Sequence, residues 1–420
     1  MEDCKGQSSL PHPMTTQQYH LHERRSAVED MKFAPGPDDQ PPSPSPSPLS
    51  QQEKKKLSKQ RIIILAATIL IVIIIIIVPA CYFAARRRSH DSNGKEDESI
   101  SNPDPDDGND DGTNNSDASN TILGPNGEIF PSPNRRLKRV FYGMAYVPMN
   151  AQLPDCGATA ESVADELQLL AKTTRRVRLY GTDCGVLDYT LQAIKSHKLD
   201  LKVVVGIWID RTNETFTRQE ASMFASLEKY GWDNIIGISV GNEVLYDHYQ
   251  PLSVLIECVK NVKSKVMALG HSTIPVFTSD LVDSVKPPLT NNEDISAVNL
   301  HPFFSGINIE GAADWFWRYY NSHVKDNAGN VAKPVWVTEV GWPSFPANAP
   351  IKGSTPSVQN LQLFIDTWLC EANQKKLPYY FFEFFDAPWK IFPGSPVEGF
   401  WGIMTIDKKL KVKLPNCLAD

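Results

Sequence analysis

The sequence predicts an α/β protein, a (β/α)8 TIM barrel that follows a disordered tail, one transmembrane helix and an acidic stalk. Three observations predict this. Short apolar runs alternate with amphipathic stretches over residues 137–420, an uncharged apolar run covers 62–85, and polar, proline-rich or acidic segments flank that run. The 41% hydrophobic and 22% charged residues of the 420-residue chain average over these regions, so each segment is interpreted by itself.

Residues 1–61 are rich in Pro, Ser and Gln and carry too little apolar material to offset the entropy of ordering, which predicts a disordered cytoplasmic tail. Residues 62–85 contain no charged side chain, and at about 1.5 Å per residue they can cross most of a hydrocarbon core of about 30 Å. They are therefore predicted to form a transmembrane signal anchor. A cleaved signal peptide is the alternative, but the run begins far from the N-terminus and lacks a small-residue cleavage site.

The orientation of this span follows from the basic residues around it. Five Lys and Arg side chains lie at 54–61 and three at 86–88, a bias that favours a cytoplasmic N-terminus and a single-pass type II protein of the cell membrane. The barrel would then be extracellular or luminal.

Residues 86–136 are rich in Asp, Asn, Ser and Gly, which predicts an extended, disordered stalk. The acidic run at 104–111 could be a Ca²⁺ loop, but it lacks the Gly and distal Glu of an EF-hand. The formal net charge of −7 argues against nucleic acid as a partner. The sequence indicates no metal, no cofactor and no obligate protein partner.

The region after the stalk contains eight short apolar runs, separated by helical stretches such as 162–171, 217–230, 251–269 and 358–376. Eight such units in roughly 280 residues fit a closed barrel better than an open sheet. A glycine-rich phosphate loop does not follow the first run, which disfavours a dinucleotide-binding fold. The predicted strands are 140–147, 176–180, 201–209, 235–241, 275–279, 297–304, 334–339 and 379–385.

Two glutamates end two of these predicted strands. Glu243 follows Asn242 at the end of the fourth run, and Glu339 ends the seventh. Because the carboxyl ends of barrel strands meet at one mouth, both carboxyl groups are expected in one cavity. A glycosidase needs such a pair, one group to protonate the leaving oxygen and the other to attack the anomeric carbon or to activate water. Either glutamate alone could simply cap the next helix.

The two glutamates lie in the motifs Val240-Gly241-Asn242-Glu243-Val244-Leu245 and Val337-Thr338-Glu339-Val340-Gly341-Trp342-Pro343-Ser344. These motifs resemble the signatures of family 17 glycoside hydrolases, the β-1,3-glucanases. The stretches 177–184 and 379–390 are similar to the fungal branch of that family, in particular to its membrane-anchored glucan endo-1,3-beta-glucosidases. The resemblance implies a retaining endo-acting hydrolase of β-1,3-glucan that remodels cell-wall glucan, with Glu243 as acid/base and Glu339 as nucleophile. His301 stands where plant members usually carry Tyr.

Further residues are assigned supporting roles at the predicted mouth. Arg178 and Asn242 could keep the nucleophile ionised and bind the sugar 2-hydroxyl, although Arg178 could instead form a structural ion pair. Glu383 is expected as a third carboxylate that tunes its neighbours. His301 and five aromatic residues are further substrate-binding candidates, since flat rings pack on pyranose CH groups. The five are Tyr146, Tyr180, Phe304, Trp342 and Trp389.

Five cysteines lie beyond the apolar run, without metal-ligand spacing. An odd count permits at most two internal disulfides, for which Cys156 with Cys184 and Cys370 with Cys417 are the candidate pairs. Asn114 and Asn213 begin glycosylation sequons, which are meaningful only if this side of the membrane is luminal.

Two other functions remain open at this stage. A transglycosylase would use the same covalent intermediate but transfer it to a sugar hydroxyl instead of water. An inactive glucan-binding sensor is the alternative from another functional class, and the presence of both carboxylates argues against it.

Overall fold

A closed barrel of eight parallel strands forms the centre of the computed structural model, which describes residues 122–123, 129–130, 137–324, 333–346 and 348–419. The strands follow one another around the barrel in chain order, and the eighth pairs with the first. The predicted barrel is thereby confirmed. The strands are β1 Gly143–Ala145, β2 Arg176–Arg178, β3 Lys202–Ile207, β4 Ile235–Asn242, β5 Val276–Leu281, β6 Ser296–Asn299, β7 Val335–Val340 and β8 Tyr379–Phe381.

Helices connect most consecutive strands, as the amphipathic stretches predict. The first begins at a reciprocal capping box, in which Thr159 and Ser162 each accept a hydrogen bond from the other's backbone amide. The predicted helix 358–376 is interrupted by a π-helical turn, Ile365–Leu369. The α-helices are α1 Ala160–Leu170, α2 Val186–Ser196, α3 Asn213–Tyr230, α4 Leu252–Ala268, α5 Ala312–Tyr319, α6 Val358–Phe364 and α7 Cys370–Gln374.

The connection from β5 to β6 departs from the simple repeat. Residues 282–295 contain turns and bends but no helix. This segment places the buried Glu293 against β5, where its carboxylate accepts a hydrogen bond from the Thr278 amide, a contact that the sequence did not predict.

Two sets of buried side chains surround the strands. Most apolar residues belong to one large core between strands and helices. A smaller cluster contains Val204, Phe277, Ala297 and Tyr380, which come from four different strands. Because Val203 and Val205 belong to the large core and Val204 to the small one, the alternation along β3 shows the two faces of the barrel wall.

Most of the predicted tail, membrane span and stalk lies outside the described residues. Inside the predicted stalk, Ile122–Leu123 pairs in antiparallel fashion with Ile129–Phe130, which the composition did not predict. Among the residues that the structure describes, no helix has the length and apolarity needed to cross a bilayer.

Candidate active site

Glu339 is the penultimate residue of β7 and lies at the barrel mouth with 5% of its surface exposed. Its Oε1 accepts hydrogen bonds from Nη1 of Arg178 at 3.0 Å and from the hydroxyl of Tyr180 at 2.8 Å. Its Oε2 lies 3.3 Å from Nε2 of His301. Three side chains from β2, the segment after it and the segment after β6 therefore fix both oxygens of this carboxylate.

These contacts determine the charge of Glu339. Burial would raise its pKa, but the hydrogen bond from His301, the positive charge of Arg178 and the hydroxyl of Tyr180 outweigh burial and lower the pKa to about 2. Tyr180 keeps its proton, since burial and the neighbouring Glu339 raise its pKa well above the usual 10.0. Glu339 is thus an ionised carboxylate over the whole neutral and mildly acidic range, as a nucleophile must be.

Glu243 follows directly after β4, with 8% of its surface exposed. Its Oε1 accepts a hydrogen bond at 2.9 Å from Nδ2 of Asn299, which also donates to Oδ1 of Asn242 at 3.1 Å. The second amino group of Arg178 donates to the same Asn242 oxygen at 2.7 Å. One chain of hydrogen bonds therefore joins Glu339, Arg178, Asn242, Asn299 and Glu243, so the two predicted catalytic residues do lie at one mouth.

Glu383 supplies a third buried carboxylate, just after β8. Both of its oxygens accept hydrogen bonds from Nζ of Lys390, at 3.0 and 2.8 Å. The pKa of Glu383 is raised to about 7, mainly by burial and in smaller part by the negative charge of Glu339, although Lys390 opposes the shift. Glu383 therefore responds to the charge of Glu339, which is consistent with a tuning role.

The aromatic candidates separate into two groups. Tyr180, Phe304 and Trp389 are half-buried, so part of each ring remains open at the strand ends. Tyr146 and Trp342 are 1% and 0% exposed, respectively. The expectation that these two rings stack on a sugar is corrected, because a ring without exposed surface offers no face to a ligand.

The two buried rings have structural contacts instead. The Tyr146 hydroxyl donates to Oε2 of Glu166 at 2.7 Å, and Nε1 of Trp342 donates to the Thr355 carbonyl at 3.0 Å. Trp342 also packs edge-on against Phe303, with ring centroids 5.2 Å apart. Both rings therefore contact the protein interior rather than the open cavity.

The two predicted disulfides are present. Cys156 bonds to Cys184, joining the segments that follow β1 and β2, and Cys370 bonds to Cys417, holding the C-terminal segment to α7. Asn213 is the first residue of α3 and is partly exposed, whereas Asn114 lies outside the described residues.

Sequence reasoning missed Asn299 and Lys390, and also Asp280, whose Oδ2 accepts a hydrogen bond from the amide of Leu245 two residues after Glu243. Asn299 and Asp280 each lie at the carboxyl end of a strand, the position at which Glu243 and Glu339 were recognised, so that criterion could have found them. Lys390 follows Glu383 at a spacing that has no general meaning, and only the fold brings the two together. Across residues 137–324, 333–346 and 348–419 there is no cluster of His, Cys, Asp and Glu that could hold a metal ion.

The site therefore combines an anionic carboxylate, fixed by cationic and hydroxyl donors, with a second carboxyl group whose Oε1 accepts a hydrogen bond from the Asn299 amide. The first arrangement favours a nucleophile. The second orients a carboxyl group at the same mouth, which is the kind of group that serves as acid and base in proton transfer. The geometry supports displacement at a carbon centre by Glu339, assisted by proton transfer at Glu243.

Comparison with known proteins agrees with this interpretation. The family model of the BtgE/BtgC glycoside hydrolase domain matches residues 143–402. The chain is 33% identical over 307 residues to the putative glucan endo-1,3-beta-glucosidase btgC of Aspergillus niger, which covers 68% of this chain and 45% of that protein. With btgC of Emericella nidulans the identity is 32% over 304 residues, 67% of this chain and 47% of that protein. The chain thus spans about half the length of these curated relatives.

Among solved structures, the chain is similar to the family 17 β-1,3-glucanosyltransferase of Rhizomucor miehei, with 27% identity and a TM-score of 0.58. An active-site mutant of that enzyme in complex with laminaritriose gives 26% identity and a TM-score of 0.59. Both matches cover 67% of this chain and 100% of the other. The chain therefore belongs to the BtgE/BtgC glycoside hydrolase family, and the resemblance to glycoside hydrolase family 17 that its two glutamate motifs indicated is confirmed.

Proposed function

We propose that the protein is a retaining, endo-acting hydrolase of β-1,3-glucan, with Glu339 as nucleophile and Glu243 as acid/base. The observation that carries this proposal is the contrast between the two carboxyl groups. Arg178, Tyr180 and His301 surround Glu339 and lower its pKa to about 2, while an amide of Asn299 orients Glu243.

In the first step an oxygen of Glu339 attacks the anomeric carbon of the bound glucan. As the glycosidic bond breaks, its electron pair goes to the leaving oxygen, which takes the proton of Glu243. In the second step Glu243, now a carboxylate, removes a proton from water while the water oxygen attacks the anomeric carbon. As water attacks, the bond between the anomeric carbon and Glu339 breaks and its electron pair returns to the Glu339 oxygen. The sugar leaves with its original anomeric configuration, with Glu339 again a carboxylate and Glu243 again protonated.

The names of similar proteins support the substrate class. The Aspergillus and Emericella relatives are named glucan endo-1,3-beta-glucosidases, and the Rhizomucor enzyme is a β-1,3-glucanosyltransferase whose mutant binds laminaritriose. The half-buried rings of Tyr180, Phe304 and Trp389 at the mouth suit the CH faces of glucose units.

Transglycosylation is a second candidate, because two of the similar solved structures are those of a glucanosyltransferase. The same glycosyl-enzyme would then be attacked by a sugar hydroxyl instead of water. The choice between the two reactions depends on how tightly an acceptor binds relative to water, which the positions of Glu243 and Glu339 do not decide.

Sizing of reaction products separates these candidates. The full-length chain, purified in detergent, is incubated with a ladder of laminari-oligosaccharides, with Glu339→Gln as the inactive control. Products only shorter than the starting oligosaccharide indicate hydrolysis, and internal cleavage indicates endo action. Longer products indicate transfer, and absence of any conversion would refute both reactions.

We also propose that residues 62–85 anchor the protein in the cell membrane as a type II span, with the barrel outside. The support is the apolar run, the basic residues before it and the two disulfides of the barrel, which persist in oxidising compartments. Protease added to sealed microsomes should remove the N-terminal tail and spare the barrel. Protection of the tail would reverse the orientation.

A further inference from the structure

Asp280 lies near the end of β5, with 0% of its surface exposed, and its carboxylate contacts the turn that follows Glu243. Its Oδ2 accepts a hydrogen bond from the backbone amide of Leu245 at 2.8 Å. Its Oδ1 accepts one from the amide of Leu281, also at 2.8 Å. The side chain therefore joins its own strand to the segment that carries Glu243.

That segment has an unusual backbone conformation. Glu243 has φ of 53°, in the left-handed region that residues other than glycine rarely adopt. Such a conformation persists only where the surrounding contacts hold it. The amide of Glu243 donates to the carbonyl of Ser279 at 2.8 Å, so two successive residues of β5, Ser279 and Asp280, hold the amides of residues 243 and 245.

The burial of Asp280 is costly, which argues that its position serves a purpose. Burial raises its pKa to about 6, and the negative charge of Asp280 contributes to the raised pKa of Glu293. The hydrogen bonds that oppose this shift come from the amides of Leu245, Leu281 and Tyr246 and from the Ser284 hydroxyl. The amides of Leu245 and Tyr246, which belong to the turn after Glu243, thus offset part of the free-energy cost of burying the Asp280 carboxylate.

We propose that Asp280 is a positioning residue for Glu243. Asp280 fixes the left-handed turn, so that the Glu243 carboxyl group points at the leaving oxygen of the substrate. Asn299 holds the end of the same side chain, at Oε1. The backbone and the carboxyl group of Glu243 are therefore fixed from two neighbouring strands, β5 and β6. The inference rests on the proposed function, because it requires Glu243 to act as acid.

The test uses substrates that differ in their need for an acid. Asp280→Asn preserves size but replaces one acceptor oxygen by a donor. Displacement of the Glu243 carboxyl by about 1 Å should lower kcat/KM on laminarin about 10- to 100-fold. In a dinitrophenyl β-glycoside of laminaribiose the leaving group departs as dinitrophenolate and needs no proton. The kcat/KM for this substrate, which reports the first step, should therefore change less than about threefold.

Asp294→Asn is the matched control. Asp294 accepts a hydrogen bond from the amide of Val276 at 2.9 Å, at the opposite end of β5 from Asp280. This variant also changes an aspartate carboxylate that accepts a hydrogen bond from a strand amide, but it should keep the laminarin-to-dinitrophenyl ratio of the unmodified protein. Melting curves of both variants show whether each is folded at the assay temperature. Should Asp280→Asn not fold, Asp280→Ser, which is smaller and can still accept one hydrogen bond, is put through the same comparison.

A selective loss on laminarin in the Asp280 variant, absent from the Asp294 control, supports the proposal. An equal loss on both substrates, or full activity on laminarin, overturns it. Glu243→Gln keeps the proposed function separate from this inference. Should that variant lack a selective loss on laminarin, the acid role of Glu243 itself is wrong, whatever the Asp280 variant does.

Discussion

Arg178 and Glu339 form a buried ion pair at the barrel mouth, with Nη1 3.0 Å from Oε1 and side chains 1% and 7% exposed. The same guanidinium donates to Asn242, the residue before Glu243. A single planar side chain thus contacts both the nucleophile, whose pKa it helps to lower, and the residue that precedes the acid/base. Lysine has one point-like ammonium group and cannot reproduce both contacts.

Arg178→Lys should therefore lower kcat/KM on laminarin and shift its acidic limb to higher pH. Arg178 lowers the pKa of Glu339, so a weaker or more distant charge lets that pKa rise, and a larger fraction of the nucleophile is protonated in acid. The measurement is a pH profile of kcat/KM. Arg175→Lys is the control, since Arg175 pairs with Asp200 on the surface. An unmoved acidic limb in Arg178→Lys would show that this ion pair does not control the ionisation of Glu339.

Azide should distinguish the two glutamates by the stereochemistry of its product. In Glu243→Ala, a dinitrophenyl substrate still forms the glycosyl-enzyme, and azide that attacks from the opposite face gives a β-glycosyl azide. In Glu339→Ala, azide takes the place of the nucleophile and gives an α-glycosyl azide. Proton NMR of the isolated azides identifies the anomers. The same anomer from both variants would refute the assignment of roles.

The sequence predicted the barrel, which the structure confirms, and placed Glu243, Glu339, Arg178 and Asn242 together at one mouth, where they lie. Strand periodicity and the rule that chemistry lies at strand ends were enough for both predictions, whereas the catalytic roles of these residues stay predictions. The prediction that Trp342 binds substrate was wrong, because this residue lies two positions beyond β7 and its side chain is buried in the core. Period-two alternation predicts side-chain direction only while the chain stays in the strand.

The contacts of Lys411 and Asp280 could not be predicted for another reason. Lys411 approaches Asp386 from the C-terminal segment, and Asp280 reaches Leu245 from another strand, so both contacts depend on register and loop path. Local sequence patterns carry no information about such long-range pairs. The helix-free connection after β5 contains Pro287 and Pro288, which disfavour a helix interior, but the path of such a loop is set by tertiary contacts.

Lys411→Met should destabilise the barrel by about 3–5 kcal/mol, because it leaves a buried charge without its partner. Nζ of Lys411 lies 2.6 Å from Oδ1 of Asp386 and 2.7 Å from the Ser344 hydroxyl, and the lysine is 2% exposed. Urea unfolding measures the loss, and Asp386→Asn in the same chain should recover part of it. Lys375→Met is the control, since its pair with Glu371 is solvent-exposed and is worth less than about 1 kcal/mol. Equal stability of the two single variants would contradict the prediction.

Glu293 should make the barrel less stable as the pH rises from about 4.5 to about 8. It is 2% exposed, and burial raises its pKa to about 8, with partial compensation from the Thr278 amide at 3.3 Å and from the charge of Lys333. Between those two pH values the unfolded chain has lost the proton and the folded chain keeps it. The free energy of unfolding therefore falls with rising pH, by about 1.4 kcal/mol per unit for a single group, and the effect ends above the folded pKa.

Glu293→Gln tests this dependence, because an amide resembles the protonated acid in shape and does not ionise. Its free energy of unfolding should match that of the unmodified protein near pH 4.5 and exceed it near pH 8, so the difference between the two curves should grow with pH. Glu257→Gln on α4 is the control, since Glu257 is exposed and pairs only with Lys260 one turn away. Urea titrations at several pH values give the curves. A constant difference across this range would mean that Glu293 is already ionised in the folded barrel at neutral pH.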